Sequence, residues 1–211
     1  MLRYVYGTDL HSFPKLRETM FRDRADQFKT RLDWDVAVDD AGFEMDEYDT
    51  LNPLYVIWEQ ADGSHGGSMR FLPTVGRTMV NEHFGQLMSG PIVSPTIWEC
   101  TRYCLNRNAE SRVAAGLMLG GGEIMQRFGI HNFVGVFDQR MVRIYRMIGS
   151  SPDILGSDGE GRDKISVGLW HFAPDAQAKV AERAGVSVAQ SQQWFDRSFG
   201  APQLPQLAQT A

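Results

Sequence analysis

Glu99 is the residue whose surroundings most favour acid–base chemistry. It lies between Trp98 and Cys100 in a strand-like run that ends at about Leu105. A glutamate in a central strand with aromatic neighbours is desolvated, which raises its pKa and suits it to act as a general base. The alternative is an edge strand, where the carboxylate faces water. Arg102 follows three residues later, and strict alternation places the two side chains on opposite faces, so a shared cleft requires a β-bulge.

A second candidate group combines a buried arginine with an acidic segment. Arg24 falls in the middle of the apolar stripe of the first predicted helix, four residues after Met20 and four before Phe28. An arginine there needs a carboxylate or phosphate partner, unless its side chain reaches solvent at the helix end. Asp46 and Asp49 belong to an acidic segment interleaved with apolar residues, which either docks on the protein body or forms a solvated loop. If it docks, these two carboxylates are expected to face Arg24 or a cationic ligand.

Composition and charge exclude several classes of protein. The chain has 211 residues and a formal net charge of −5, which excludes a generally basic nucleic-acid-binding protein. It contains no signal-peptide pattern and no apolar stretch of about 18 residues, so we expect no membrane partner and a cytoplasmic location. Cys100 and Cys104 make no disulfide framework and the histidines are scattered, so we expect no metal and no cofactor. A thiol nucleophile at either cysteine is an alternative, with no histidine near it in sequence.

Strand and helix patterns alternate along most of the chain. The predicted strands are 2–6, 53–59, 67–72, 96–105, 131–137 and 164–172. The predicted helices are 12–32, 78–88, 109–128, 139–148, 174–184 and 188–199. The glycine- and serine-rich stretch 149–163 is predicted to be a mobile loop. We therefore expect a single three-layer α/β domain with a mixed sheet over residues 1–200, followed by a flexible tail at 201–211.

The order and spacing of the candidate residues resemble the signature of the LuxI-type autoinducer synthases, the acyl-homoserine-lactone synthases of bacterial quorum sensing. The similarity extends from about residue 1 to residue 200. The matching positions are Arg24, Phe28, Trp34, Glu44, Asp46, Asp49, Arg70, Phe84, Trp98, Glu99 and Arg102.

This resemblance implies a fold, two substrates and a reaction. The implied fold is related to the GCN5-type N-acetyltransferases, with a mixed sheet splayed at its centre and helices on both sides. The implied substrates are S-adenosylmethionine and an acyl thioester on acyl carrier protein, although some similar synthases accept acyl-CoA. The amine of S-adenosylmethionine attacks the thioester carbonyl, and the methionine carboxylate then displaces methylthioadenosine from its own γ-carbon to close the lactone.

Carried onto this sequence, the resemblance implies roles for the matched residues. Glu99 accepts a proton from the substrate ammonium, and Arg102 belongs to the same catalytic centre. The residues implied to bind S-adenosylmethionine or to shape its site are Arg24, Phe28, Trp34, Asp46, Asp49, Arg70 and Phe84. The alternative for the charged members is a set of structural ion pairs.

The acyl donor adds further expectations. The tunnel for the acyl chain is expected to be lined by Leu117, Ile124, Gly135, Val136 and Phe137. An acidic carrier protein would dock on a basic face, and Arg140, Arg143 and Arg146 recur every three residues on one predicted helix, unless they form only a solvated face. The strand at 132–137 carries no hydroxyl group to bind a 3-oxo oxygen, so we expect a preference for acyl chains without that group.

Two other functions remain open on the residues alone. A GCN5-like N-acyltransferase that uses acyl-CoA on another amine would need a glycine-rich turn at a helix N-terminus for the CoA pyrophosphate. The spacing in Arg112–Gly116 is wrong for that turn and Gly120–Gly122 lies mid-helix, which points away from CoA. A non-catalytic S-adenosylmethionine-binding module would have no need for a base at Glu99.

Overall fold

A seven-stranded mixed sheet forms the centre of the computed structural model, which describes residues 1–200. The strands are β1 Leu2–Tyr6, β2 Leu54–Glu59, β3 His65–Pro73, β4 Ile97–Leu105, β5 Asn132–Asp138, β6 Asp153–Asp158 and β7 Ile165–His171. Their order across the sheet is β1-β2-β3-β4-β5-β7-β6. Neighbouring strands are antiparallel except β4 and β5, which run parallel.

The sheet is splayed between its two parallel strands. β4 and β5 pair only where Ile97–Glu99 lies beside Asn132–Val134. At the last close approach, a Cβ added to Gly135 would lie 2.8 Å from the carbonyl oxygen of Cys100, so the residue there must be glycine for the strands to meet. Beyond this point the two strands diverge and leave a gap in the middle of the sheet.

Helices cover both faces of the sheet. They are α1 Pro14–Arg24, α2 Met79–His83, α3 Ser111–Phe128, α4 Gln139–Ile148, α5 Pro174–Ala184 and α6 Val188–Phe199. On one face α1 packs over β3 and β4, and its Leu16, Met20 and Phe21 form a cluster with Tyr55 and Ile57 of β2. On the other face α3 packs on β1, β2 and β3, and α5 and α6 pack against α3. The expected three-layer α/β domain with a mixed sheet, splayed at its centre, is confirmed.

N-terminal capping residues explain why three helices begin at the predicted positions. Asp138 caps α4 and Ser187 caps α6 through their side chains, and Pro174 opens α5. The predicted helix 12–32 is instead divided, because Pro14 starts α1 and a π-helical segment, Ala25–Arg31, continues it. The predicted helix 78–88 shortens to α2 and a 3-10 turn at Gly85–Leu87.

The prediction of a mobile loop at 149–163 is wrong. This stretch contains β6, an edge strand that pairs antiparallel with β7 and carries a register shift between Ile154 and Gly156. Five of its six residues are exposed, so no alternating apolar pattern marks the strand. Its glycine serves packing, since a Cβ at Gly156 would collide with the carbonyl group of Leu87.

Within residues 1–200, no helix is both long enough and apolar enough to cross a membrane. The predicted flexible tail at 201–211 lies outside the described residues.

Candidate active site

A β-bulge in β4 turns Glu99 and Arg102 toward the same side of the sheet. Three residue steps of β4 oppose two of β3 at this point, and Arg102 takes the extra position with a φ of +50°. Both side chains then reach the start of α2. Glu99 accepts a hydrogen bond from the Met79 N–H at 3.2 Å, and the Arg102 guanidinium lies 3.9 Å from the Met79 sulfur. The bulge required for a shared cleft is confirmed.

Arg24 is buried and fully paired with carboxylates. Its Nε donates to Glu44 at 2.6 Å, and its two Nη atoms donate to the two oxygens of Asp49 at 3.0 and 2.9 Å. The acidic segment therefore docks on the protein body. Within this segment, Glu44 and Asp49 pair with Arg24, whereas Asp46 pairs with other arginines, Arg70 and Arg102.

Arg70 and Arg102 complete a closed network of ion pairs. Arg70 donates to Asp49 at 2.9 Å and to both carboxylate oxygens of Asp46. Arg102 pairs with Glu44 at 2.9 Å and with Asp46 at 2.8 Å. Three guanidiniums thus neutralise three carboxylates.

Local backbone capping holds the acidic segment in place. Asp46 accepts hydrogen bonds from the N–H groups of Tyr48 at 3.0 Å and Asp49 at 3.2 Å, and its own N–H donates to the Asp49 carboxylate at 2.9 Å. This reciprocal capping opens a 3-10 turn, Glu47–Leu51. The turn presents both aspartates to the arginines.

The depth of burial divides the network into an inner and an outer part. Arg24, Asp49 and Arg70 are buried, whereas the side chains of Asp46 and Arg102 are 12% and 10% exposed. Burial alone would raise the pKa of Asp49, but Arg24 and Arg70 hold it well below its usual range. The inner part is an internal ion-pair core, and only the outer part borders open space.

Glu99 is a buried carboxyl group in a central strand, not in an edge strand. It accepts N–H hydrogen bonds from Met79 and from Val80, the latter at 2.5 Å. Burial raises the pKa of Glu99 to about 7, although these two N–H groups act to lower it. A pKa near the working pH suits a general base, because the deprotonated form is then both present at neutral pH and basic enough to accept a proton.

A cavity of about 940 Å³ passes through the gap between β4 and β5. On the α1 side its wall includes Asp46 and Arg102, and on the α3 side it includes Met118 and Met125. Glu99 lies just behind the wall, beside Met79.

Aromatic side chains line the α1 side of the cavity. Phe28 and Trp34 stack with ring centroids 5.2 Å apart and planes 14° apart. The Arg102 guanidinium lies 5.4 Å from the centroid of Phe28, in cation–π contact. Phe84 also lines the cavity. Of the residues expected to bind S-adenosylmethionine, Phe28, Trp34, Asp46 and Phe84 border the cavity, whereas Arg24, Asp49 and Arg70 lie behind them.

The acyl-pocket candidates divide between the cavity and the core. Gly135, Val136 and Phe137 of β5 line the cavity, whereas Leu117 and Ile124 of α3 pack in the core beneath β1 and β2. The α3 residues that do line the cavity are Met118, Leu119, Gly121, Gly122 and Met125. The helix is therefore rotated by about one residue from the expected orientation, because the positions next to the sheet belong to the core.

The three arginines of α4 differ in their surroundings. Arg140 pairs with Asp138, with Nε at 2.9 Å from the carboxylate, and borders the cavity. Arg143 and Arg146 are exposed, and neither has an ion-pair partner within residues 1–200. Arg183 of α5 lies against Gly149, where α4 ends. The exposed basic face is thus formed by Arg143, Arg146 and Arg183.

Several side chains of the site escape sequence reasoning. Glu44 matches the family signature but receives no role from the sequence, although it links Arg24 to Arg102. From the sequence, Gly121 and Gly122 are expected only to lower the stability of the helix, whereas in the structure they border the cavity. Tyr145 and Trp170 also line it, and no local signal marks them. No group of three or more potential metal ligands occurs in the part of the chain that the structure describes.

The splayed sheet with helices on both faces is the fold of the GCN5-like N-acetyltransferases. Solved N-acyltransferases align over about four fifths of this chain with TM-scores of 0.54 and 0.52, at 12% and 14% sequence identity. Likeness at this identity shows the fold alone.

The sequence then identifies the family within that fold. The autoinducer synthase family profile matches residues 8–180. An acyl-homoserine-lactone synthase of Rhizobium etli is 40% identical over 183 residues, which cover 83% of this chain and 86% of the relative. This chain belongs to the autoinducer synthase family, and it is an enzyme of the acyltransferase class.

Solved structures of acyl-homoserine-lactone synthases resemble the fold closely. MesI, described as CoA-dependent, aligns with a TM-score of 0.77 at 25% identity and covers 89% of this chain and 96% of its own. BjaI, solved with SAM and isopentyl-CoA, aligns with a TM-score of 0.77 at 22% identity, covering 89% and 91%.

Proposed function

We propose that this enzyme makes an N-acyl-L-homoserine lactone from S-adenosylmethionine and an acyl thioester. The observation that carries the proposal is the continuous cavity. It joins an aromatic and charged side to an apolar side at the gap beside Glu99. A cationic amino-acid derivative and a fatty acyl chain require these two environments. Both kinds of substrate are made in the cytoplasm, where we place the enzyme.

S-Adenosylmethionine occupies the α1 side in this proposal. The stacked rings of Phe28 and Trp34 offer a surface for the adenine and sulfonium ends. Glu44, Asp46 and Arg102 are the charged side chains of the network that border the cavity. Asp46 and Arg102 are the partly exposed ones, so they are placed to meet the ammonium and carboxylate. Arg24, Asp49 and Arg70 act indirectly, by holding Asp46 in position.

Amide formation requires the substrate amine to lose a proton. Glu99 has a raised pKa near 7 and lies just behind the cavity wall, so it accepts this proton through a water molecule. The free amine attacks the thioester carbonyl at the gap, where a backbone N–H stabilises the oxyanion, and the thiol leaves. The methionine carboxylate then attacks its own γ-carbon, which closes the lactone and releases methylthioadenosine.

Acyl carrier protein is the donor we propose, because of the exposed basic face of Arg143, Arg146 and Arg183. A carrier of opposite charge docked there would place its acyl chain close to the cavity, since Arg140 on the same helix borders it. Acyl-CoA is the second candidate, favoured by the similarity to MesI, which is described as CoA-dependent.

Purified protein tests the reaction. Incubation with S-adenosylmethionine and a panel of acyl carrier proteins and acyl-CoAs is expected to release methylthioadenosine and a lactone, both detected by mass spectrometry. Omission of the acyl donor is the control. Absence of lactone from every donor would overturn the proposal, and acylation of another amine without methylthioadenosine would support a GCN5-like N-acyltransferase instead.

A further inference from the structure

Tyr103 carries a buried hydroxyl group without a partner. The residue follows the bulge of β4, and its side chain lines the cavity. Within residues 1–200, its hydroxyl makes no hydrogen bond. A buried donor left without an acceptor costs free energy, so such a group in a ligand cavity calls for an acceptor on the ligand.

A second phenol lies close to the first. Tyr145 of α4 lines the same cavity, held edge to face between Phe137 and Trp170 with ring centroids 5.3 and 5.0 Å away. Burial raises the pKa of Tyr145, and the neighbouring Cys100 and Tyr103 raise it further. Both phenols therefore stay protonated and able to donate.

The surrounding wall offers these hydroxyls little else to bind. Met69, Phe71, Phe133 and Val136 are apolar cavity residues. A water molecule is held in such a place only where it finds two to four polar partners, so an apolar wall favours an acceptor that the ligand itself carries. Met69 is a flexible side chain in this wall and can adapt its shape to an acyl chain.

We propose that Tyr103, with Tyr145 beside it, recognises an oxygen on the acyl chain near its thioester end. The substrate class is a 3-hydroxyacyl or 3-oxoacyl thioester, and the inference rests on the proposed function. The absence of hydroxyl groups from β5 predicts a preference for unsubstituted chains only if no other element supplies a donor. β4 and α4 supply the donors that β5 lacks.

Three donors of equal chain length test this inference: 3-hydroxyacyl, 3-oxoacyl and unsubstituted acyl carrier protein. For the wild type, kcat/KM with at least one oxygenated donor is expected to exceed that with the unsubstituted donor at least about fivefold, the worth of one neutral hydrogen bond. Tyr103→Phe is expected to abolish this difference, because it lowers kcat/KM for the oxygenated donors more than for the unsubstituted donor. Tyr145→Phe is expected to reduce it.

Tyr4→Phe is the matched control, since the Tyr4 hydroxyl is also buried without a partner among the described residues but lies outside the cavity wall. It is expected to leave the donor preference unchanged. A wild-type preference for the unsubstituted donor overturns the inference, and so does an equal effect of Tyr103→Phe on all donors. Competition among the three donors on the wild type, read by mass spectrometry, measures the same preference without any variant. Lactone made without donor preference would overturn this inference and leave the proposed function intact.

Discussion

The two sides of the splayed sheet differ in whether their buried polar side chains are paired within the protein. On the α1 side, Arg24, Arg70 and Arg102 satisfy Glu44, Asp46 and Asp49 within the protein itself. On the α3 side, an apolar cavity wall contains the Tyr103 hydroxyl without a partner among residues 1–200. The first side is organised before any ligand binds, whereas the second side is completed by its ligand. Changes on the first side should therefore affect stability and turnover together, and changes on the second should affect the choice of acyl chain.

Replacement of Glu99, which lies where the two sides of the sheet meet, is expected to change the reaction rate more than any other substitution. Glu99→Gln keeps an oxygen that can accept a backbone N–H but cannot take the substrate proton. We expect kcat to fall about 10²–10⁴-fold. Glu110→Gln, an exposed glutamate on a loop, is the control with unchanged kcat. A near wild-type rate for Glu99→Gln would make Glu99 a structural residue.

The pH dependence of the wild type follows from the same group. The proton must be absent from Glu99 for it to act as a base, and its pKa is about 7. Thus kcat/KM is expected to rise about tenfold per pH unit below 7 and to level off above it. A flat profile between pH 5.5 and 8 would contradict the assignment.

Removal of a buried arginine tests the closed network. Arg24→Met leaves Glu44 and Asp49 short of a partner in the interior, so we expect a loss of about 3–5 kcal/mol in unfolding free energy. Arg107→Met, which breaks an exposed pair with Asp26, is expected to cost less than about 1 kcal/mol. Urea unfolding of both variants measures the difference, and equal losses would show that the network is not a stabilising core.

A carboxyl group away from the site provides a smaller, pH-dependent test. Glu123 of α3 is buried without a partner among the described residues, next to the Tyr4 and Ser191 hydroxyls, and burial raises its pKa. The folded state thus favours the protonated form, so its contribution to stability is present below about pH 4.5 and is lost as the pH rises. Glu123→Gln should therefore stabilise the protein more at pH 8 than at pH 5, relative to the wild type. A larger gain at pH 5 would refute the raised pKa.

The smallest expected effect concerns the carrier-protein face. Arg143→Glu combined with Arg146→Glu should raise KM several-fold for an acyl carrier protein donor and leave KM for acyl-CoA unchanged. Arg22→Glu, at an exposed position of α1 on the opposite face of the sheet, is a charge-reversal control away from this surface. Equal changes for both donors would remove the basic face from donor recognition.

Most of the fold could be predicted from the sequence, because caps and periodic apolar residues mark the elements directly. The predicted bounds of α4, α5 and α6 agree with the structure to the residue, and the distance between Glu99 and Arg102 in sequence demands the bulge. The exposed strand β6 could not be predicted, since it is held by backbone pairing and lacks an apolar face.

The candidate site was predictable only in part. Residue types and spacing indicate the arginines and the aspartates, but the partner of each charge depends on the docked conformation of Glu47–Leu51. The residues that line the acyl side of the cavity were harder to predict. The packing of α3 on β1 and β2 determines which face of the helix borders the cavity. Tyr103 and Tyr145 come together only in three dimensions.

A structure of the complex with S-adenosylmethionine and a non-reactive acyl thioester analogue tests the central claim most directly. We expect the adenosyl group against Phe28 and Trp34, the amino group near Asp46 and Arg102, and the acyl chain through the gap between β4 and β5 to the α3 side. An acyl chain that lies on the α1 side, or outside the gap, would contradict the division of the two substrates between the two sides of the sheet.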